Sequence, residues 1–76
     1  MSKSELDSGI NIIKKISKEL PKRSGVYKMI SLNNEVLYIG KAKNIAKRVN
    51  SYANPMRLNY RLQKMVSLIR NIDFII

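Results

Sequence analysis

The sequence predicts an α+β fold: a small antiparallel β-sheet, built from a hairpin plus a third strand and flanked by helices. Three observations carry this expectation. Leu6, Ile10, Ile13 and Leu20 recur at helical spacing near the start. Two segments rich in β-branched and aromatic residues, GVYKMISL and VLYI, bracket an Asn33-Asn34 pair. Beyond Gly40, two further apolar-periodic stretches are separated by the breaker Ala53-Asn54-Pro55, and an apolar Phe74-Ile75-Ile76 follows them.

The first helix is expected over residues 4–20, with Ile16 or Ser17 also in its apolar stripe, Ile12 widening that stripe, and Lys14, Lys15 and Lys18 on the polar side. Ser4 stands three residues before Asp7, which suits an N-terminal cap, and Gly9 weakens the first turns. Pro21 stops the helix, because proline disfavours helical geometry in the residue before it. Residues 1–20 thus form an amphipathic packing arm, and residues 21–76 form the domain proper.

Gly25 to Leu32 reads as a strand, and Val36 to Ile39 as its return, closed by Gly40. Asn33-Asn34 suits the positive φ angles of a tight hairpin turn. Alternation places Val36 and Tyr38 on one face, Leu37 and Ile39 on the other. A lone hairpin is unstable in water, so helices must cover it. A second helix is expected from Lys41, starting near Lys43 or Asn44, to Tyr52, with Asn44 as cap. Ile45, Val49 and Tyr52 form its inward stripe, and Lys47 and Arg48 flank it. A third helix spans 57–70, with an apolar face of Leu58, Leu62, Met65 or Val66, and Ile69, and a basic face of Arg57, Arg61 and Lys64. A last strand starts at Asp73, its Phe74, Ile75 and Ile76 partly bare and prone to pair with other chains.

Charge narrows the function. Fifteen Lys and Arg face five Asp and Glu, for a net +10. Residues 1–35 hold seven basic and four acidic side chains, whereas residues 36–76 hold eight basic and one acidic, Asp73. Such a one-signed half points to a polyanionic partner, foremost nucleic acid, with a merely soluble basic surface or a ribosomal-type or anionic-membrane contact as the bland alternatives. The chain has no cysteine and no histidine. That excludes disulfides, thiolate nucleophiles, the usual zinc ligand sets and imidazole acid–base chemistry. No apolar run is long enough to span a bilayer, and the N-terminus lacks a signal peptide's apolar core, so the expected location is cytoplasmic.

The chemistry concentrates between Gly25 and Arg48. Tyr27 and Tyr38 lie on neighbouring antiparallel strands, where side chains of one face meet. A phenol in strongly positive surroundings is expected to ionise more easily and to accept a proton from water. Lys41 and Arg48 suit holding and polarising a phosphate, and Gly40, beside a helix entrance, would let backbone approach one. The same residues equally fit cross-strand packing, a turn glycine and a solvated basic helix face. Residue chemistry alone stops at a basic α+β nucleic-acid-binding domain. A helix-turn-helix-like binder over residues 43–70 is a further reading, against which the tyrosines on both strands count.

GVY at 25–27 and YIG at 38–40, followed by KAKNIAKR, resemble the signature of the GIY-YIG nuclease superfamily. More widely, LPKRSGVYKM and VLYIGKAKNIAKRVNSY resemble the N-terminal nuclease domain of the UvrC-type excinucleases, from about Leu20 to Ile76. The resemblance implies a DNA-repair endonuclease that hydrolyses a phosphodiester on the 3′ side of a lesion. It also implies one divalent metal, Mg²⁺ or Mn²⁺, and DNA, the UvrB component of the excinuclease and the lesion-bound complex as partners. By the same resemblance Tyr38 is the general base, Tyr27 lines and orients the site, and Lys41 and Arg48 contact phosphate and stabilise developing charge. Tyr52 matches a further active-site tyrosine, and Gly25 and Gly40 match the motif glycines. Lys43, Lys47, Arg57, Arg61 and Lys64 join Gly40 and Tyr52 as expected DNA contacts. One departure stands out. The family's metal-binding glutamate lies on a helix after the third strand, and none of Glu5, Asp7, Glu19, Glu35 or Asp73 occupies that position. A truncated domain, inactive alone, is therefore expected, or a non-catalytic basic DNA-binding module.

Overall fold

The computed structural model describes residues 2–76. Helix α1 covers Lys3–Ser17. Its cap is Ser2 rather than Ser4, because Ser2 and Glu5 cap each other. The Ser2 hydroxyl accepts from the Glu5 N–H at 3.1 Å, and the Glu5 carboxylate accepts from the Ser2 N–H at 3.1 Å. Ser4 lies inside the first turn instead, and the shorter Asp7 makes no such bond. The helix ends well short of Pro21, loosening into a turn in which Leu20 N–H donates to the Ser17 carbonyl.

Strands β1 (Gly25–Ser31) and β2 (Val36–Ala42) pair antiparallel. Ser31 and Glu35 close the hairpin, with Ser31 N–H donating to the Glu35 carbonyl at 2.9 Å. The loop is thus three residues long, not two, and only Asn34 takes a positive φ, 63°. The Ser31 hydroxyl accepts from the N–H groups of Asn33 and Glu35 and ties the loop down. Register then slips: Met29 faces Tyr38, but Ile30 faces Val36. Leu37 is the extra residue of a bulge and packs against the core. Val36 and Tyr38 therefore lie on opposite faces, which simple alternation did not foresee.

Helix α2 covers Ile45–Ser51 and is capped by Asn44, as the sequence indicated. Lys41 and Lys43 precede it: Lys41 is the sixth residue of β2, and Lys43 lies in the turn. A 3-10 turn occupies Pro55–Arg57, and helix α3 starts only at Tyr60, running to Leu68. Asn59 sets that start by accepting from Leu62 N–H at 2.9 Å, while the Gln63 amide donates to the carbonyls of Pro55 and Leu58 and fastens the turn to the helix. Strand β3, Ile69–Ile75, leaves α3 without a loop and begins four residues earlier than expected.

The sheet order is β2-β1-β3, with β3 antiparallel to β1. One face, carrying Tyr27, Met29 and Ile72, is covered by the helices through Ile13, Ile45, Val49 and Val66. The other carries Val26, Lys28, Ile39 and Ile75, and its Ile39 and Ile75 are exposed. Phe74, Ile75 and Ile76 are all exposed, as anticipated. The helices pack closely at Gly9 of α1, where a β-carbon would collide with the Val66 carbonyl oxygen of α3.

Candidate active site and nucleic-acid interface

The hairpin and α2 bring three tyrosines together. Tyr27 is paired with Gly40 across the strands, and Met29 with Tyr38, so Tyr27 and Tyr38 are diagonal neighbours on the covered face. Their ring centroids are 6.0 Å apart; Tyr52, at the end of α2, lies 6.3 Å from Tyr27 and 6.4 Å from Tyr38. The Tyr27 ring lies over Gly40, where a β-carbon would stand 2.5 Å from its phenol end. The two hydroxyls of Tyr27 and Tyr52 share a hydrogen bond of 3.0 Å. Exposure separates the three: Tyr27 is 2% exposed and Tyr52 8%, whereas Tyr38 is 40% exposed. Of these three, Tyr38 alone offers its ring to solvent.

Positive charge does not govern Tyr27. Burial pushes its phenol well above the usual tyrosine range, the hydrogen bond to Tyr52 and the neighbouring phenols push the same way, and Arg48 only partly opposes them. The expectation of easier ionisation fails at this residue because desolvation of the anion outweighs one guanidinium. A stability consequence follows. Above about pH 10 an unfolded chain releases the Tyr27 proton while the folded chain keeps it. The folded state then binds more protons, so stability falls as pH rises through that range. Tyr27→Phe should show a shallower loss of urea midpoint between neutral pH and about pH 11 than the parent does.

Lys41, Lys43, Lys47 and Arg48 line one groove of about 930 Å³, together with Ser24 and Gly25 among others. The three tyrosines are not in its lining, so the predicted constellation divides into a phenol cluster and an adjoining cationic groove. Arg48 belongs to the groove lining, and its positive charge is the one influence that opposes the rise at the Tyr27 phenol. The groups this groove can offer an anion are side chains, because the first N–H groups of α2 are already taken. Ile45 N–H donates to the Arg23 carbonyl at 3.0 Å, Ala46 N–H to that of Pro21 at 3.3 Å, and Lys47 N–H to the Asn44 side chain at 3.0 Å. Gly40, expected to admit a phosphate, has the Tyr27 ring over it. Arg57 in the 3-10 turn and Arg61 and Lys64 on α3 are exposed but line neither this groove nor the smaller cleft beside it. That cleft, between α1 and α2, is lined by Lys18, Lys22 and Lys47; the run Lys18 to Arg23 around Pro21 was the available signal for it.

A divalent cation does not fit the residues present. Among the described residues no three His, Cys, Asp or Glu side chains cluster. Glu5 and Asp7 lie on α1, Glu19 just beyond it, and Glu35 in the pair that closes the hairpin. Asp73 faces Lys28 on the sheet face turned away from Tyr27. Magnesium is usually anchored through one or two carboxylates besides substrate phosphates and water, and this phenol-and-lysine set supplies none.

The chain's residues 23–76 match the family described as the UvrC-like GIY-YIG domain. UvrABC system protein C of Sphingopyxis alaskensis is 41% identical over 73 residues, 96% of this chain and 11% of that protein. The protein of the same name from Bartonella henselae is 37% identical over 68 residues, 90% of this chain and 10% of that one. The chain thus spans about a tenth of the length of these curated relatives. It superposes with a TM-score of 0.71 on the crystal structure of the GIY-YIG N-terminal endonuclease domain of UvrC from Thermotoga maritima, a tyrosine-to-phenylalanine point mutant bound to its catalytic divalent cation. That match covers all of this chain and 72% of the other at 24% identity, which establishes a shared fold. With 23–76 matched, the chain belongs to the UvrC-like GIY-YIG domain family.

Proposed function

We propose that this chain is the DNA-gripping, tyrosine-bearing part of an excision endonuclease that hydrolyses a phosphodiester on the 3′ side of a lesion during nucleotide excision repair, in the cytoplasm and with UvrB as partner. The observation that carries the reading is the solvent-open Tyr38 of a three-tyrosine cluster, beside a groove lined by Lys41, Lys43, Lys47 and Arg48 and by no carboxylate. Tyr38 is the base that takes a proton from water. Tyr27 stays protonated and, bonded to Tyr52, holds the cluster in place. Arg48 and Lys41 bind the phosphate oxygens and offset their growing charge. The Mg²⁺ or Mn²⁺ that the chemistry calls for would take its carboxylate from outside these residues. Residues 1–76 by themselves therefore bind DNA without cutting it, which is also what a non-catalytic basic DNA-binding module would do; the lack of a carboxylate on the tyrosine face favours that second reading for the isolated chain.

Fluorescence anisotropy on a mixed-sequence duplex tests the grip. Affinity should fall by about 10³ between 50 and 200 mM salt, the loss expected for some six phosphate contacts. Binding indifferent to salt would refute a backbone-contact mode. The chain should not nick supercoiled DNA in Mg²⁺ or Mn²⁺; nicking abolished by Tyr38→Phe would show that no further carboxylate is needed.

A further inference from the structure

We infer that the seam between α1 and α2 is a second binding site for the DNA phosphate backbone, made by Lys18, Lys22 and Lys47 and continuous with the main groove. Read from the sequence, the first helix was a packing arm. The structure gives its end another part. The seam opens as a cleft of about 440 Å³ whose charged lining is these three lysines, without a carboxylate; Glu19, next to Lys18, is exposed and outside the lining. Asn44 and Lys47 line this cleft and the main groove alike, so one cationic track runs from Lys41 and Lys43 over Lys47 to Lys18 and Lys22.

Hydrogen bonds join the chain on the two sides of the cleft. The Ser17 hydroxyl bonds the Asn50 side chain at 3.3 Å, and the carbonyls of Pro21 and Arg23 accept from Ala46 and Ile45 at the start of α2. These bonds tie the chain on either side of Lys18 and Lys22 to α2, the helix that carries Lys47, across a long sequence separation. They also leave the carbonyl oxygens of Pro21 and Arg23 engaged with amide N–H groups of α2. A row of cations without intervening acids fits a polymer of phosphates better than a single anion, because each neutralised phosphate releases counterions.

This site rests on the DNA-binding reading, and the test separates the two. Duplex affinity is measured against salt for the full chain, for Lys18→Gln/Lys22→Gln, and for a control pair of equal charge loss off the track, Lys3→Gln/Lys28→Gln. Parent binding that ignores salt overturns the DNA-binding reading and this site with it. With a salt-dependent parent, the site predicts that Lys18→Gln/Lys22→Gln lowers the magnitude of the log K against log salt slope by about 2, while the control pair leaves it near the parent value. Lys18→Arg/Lys22→Arg should restore the parent slope and so exclude misfolding as the cause. A parent-like slope in the Gln pair, or an equal drop in the control pair, overturns the second site and leaves the main groove standing.

Discussion

Replacing Gly9 with alanine should destabilise the protein by about 1–3 kcal/mol, the cost of overpacking, although alanine is the better helix former by about 1 kcal/mol. The two effects have opposite signs, so the measurement decides between them. Gly9 sits inside α1 and is buried, and an added β-carbon meets the backbone carbonyl of Val66 rather than a side chain that could swing aside. Relief requires α1 and α3 to move apart, which loosens the contacts that Ile10 and Ile13 make in the core. Small domains hold only about 5 kcal/mol in reserve, so Gly9→Ala should lower the urea midpoint strongly, and larger residues should leave no folded protein. An increase in midpoint would mean that helix propensity governs this position and that the close crossing is absent.

Gly40→Ala should have a comparable effect by a different route, and it should reach the candidate site. The β-carbon would fall 2.5 Å from the end of the Tyr27 ring, which is buried. The ring must tilt, and its hydroxyl then loses Tyr52. A buried phenol without its partner costs about 1–3 kcal/mol. The near-ultraviolet dichroism of the tyrosines should change along with the urea midpoint. Loss of stability with unchanged dichroism would place the strain elsewhere than in the tyrosine cluster.

Much of this arrangement was legible in the residues, and the gaps have identifiable causes. The hairpin was readable because Gly25 to Ile39 changes from apolar to turn residues and back within one short span. The bulge at Leu37 was not, since pairing register depends on the partner strand. The start of β3 was hidden because Leu62, Val66 and Ile69 continue a helical spacing past the true end of α3 at Leu68. Both Ser2 and Ser4 precede an acid by three residues, and the longer reach of Glu5 decided between them. The motif brought Tyr27, Tyr38 and Tyr52 to attention together, and the structure does gather them. Which one meets solvent was invisible, because burial belongs to the packed fold. For the same reason the positive composition misjudged the Tyr27 phenol, and only the enclosed ring explains its reluctance to ionise.

The strand order has a further consequence, one of timing. β1 lies in the middle of the sheet, yet its second neighbour, β3, is translated only after β2, α2 and α3. As the chain leaves the ribosome, the hairpin can form from local contacts while the other edge of β1 stays open. Throughout that interval the edge offers unpaired amides to any passing strand. The tyrosine cluster, built from β1, β2 and α2, can assemble before that edge is closed; the sheet that supports it is completed last.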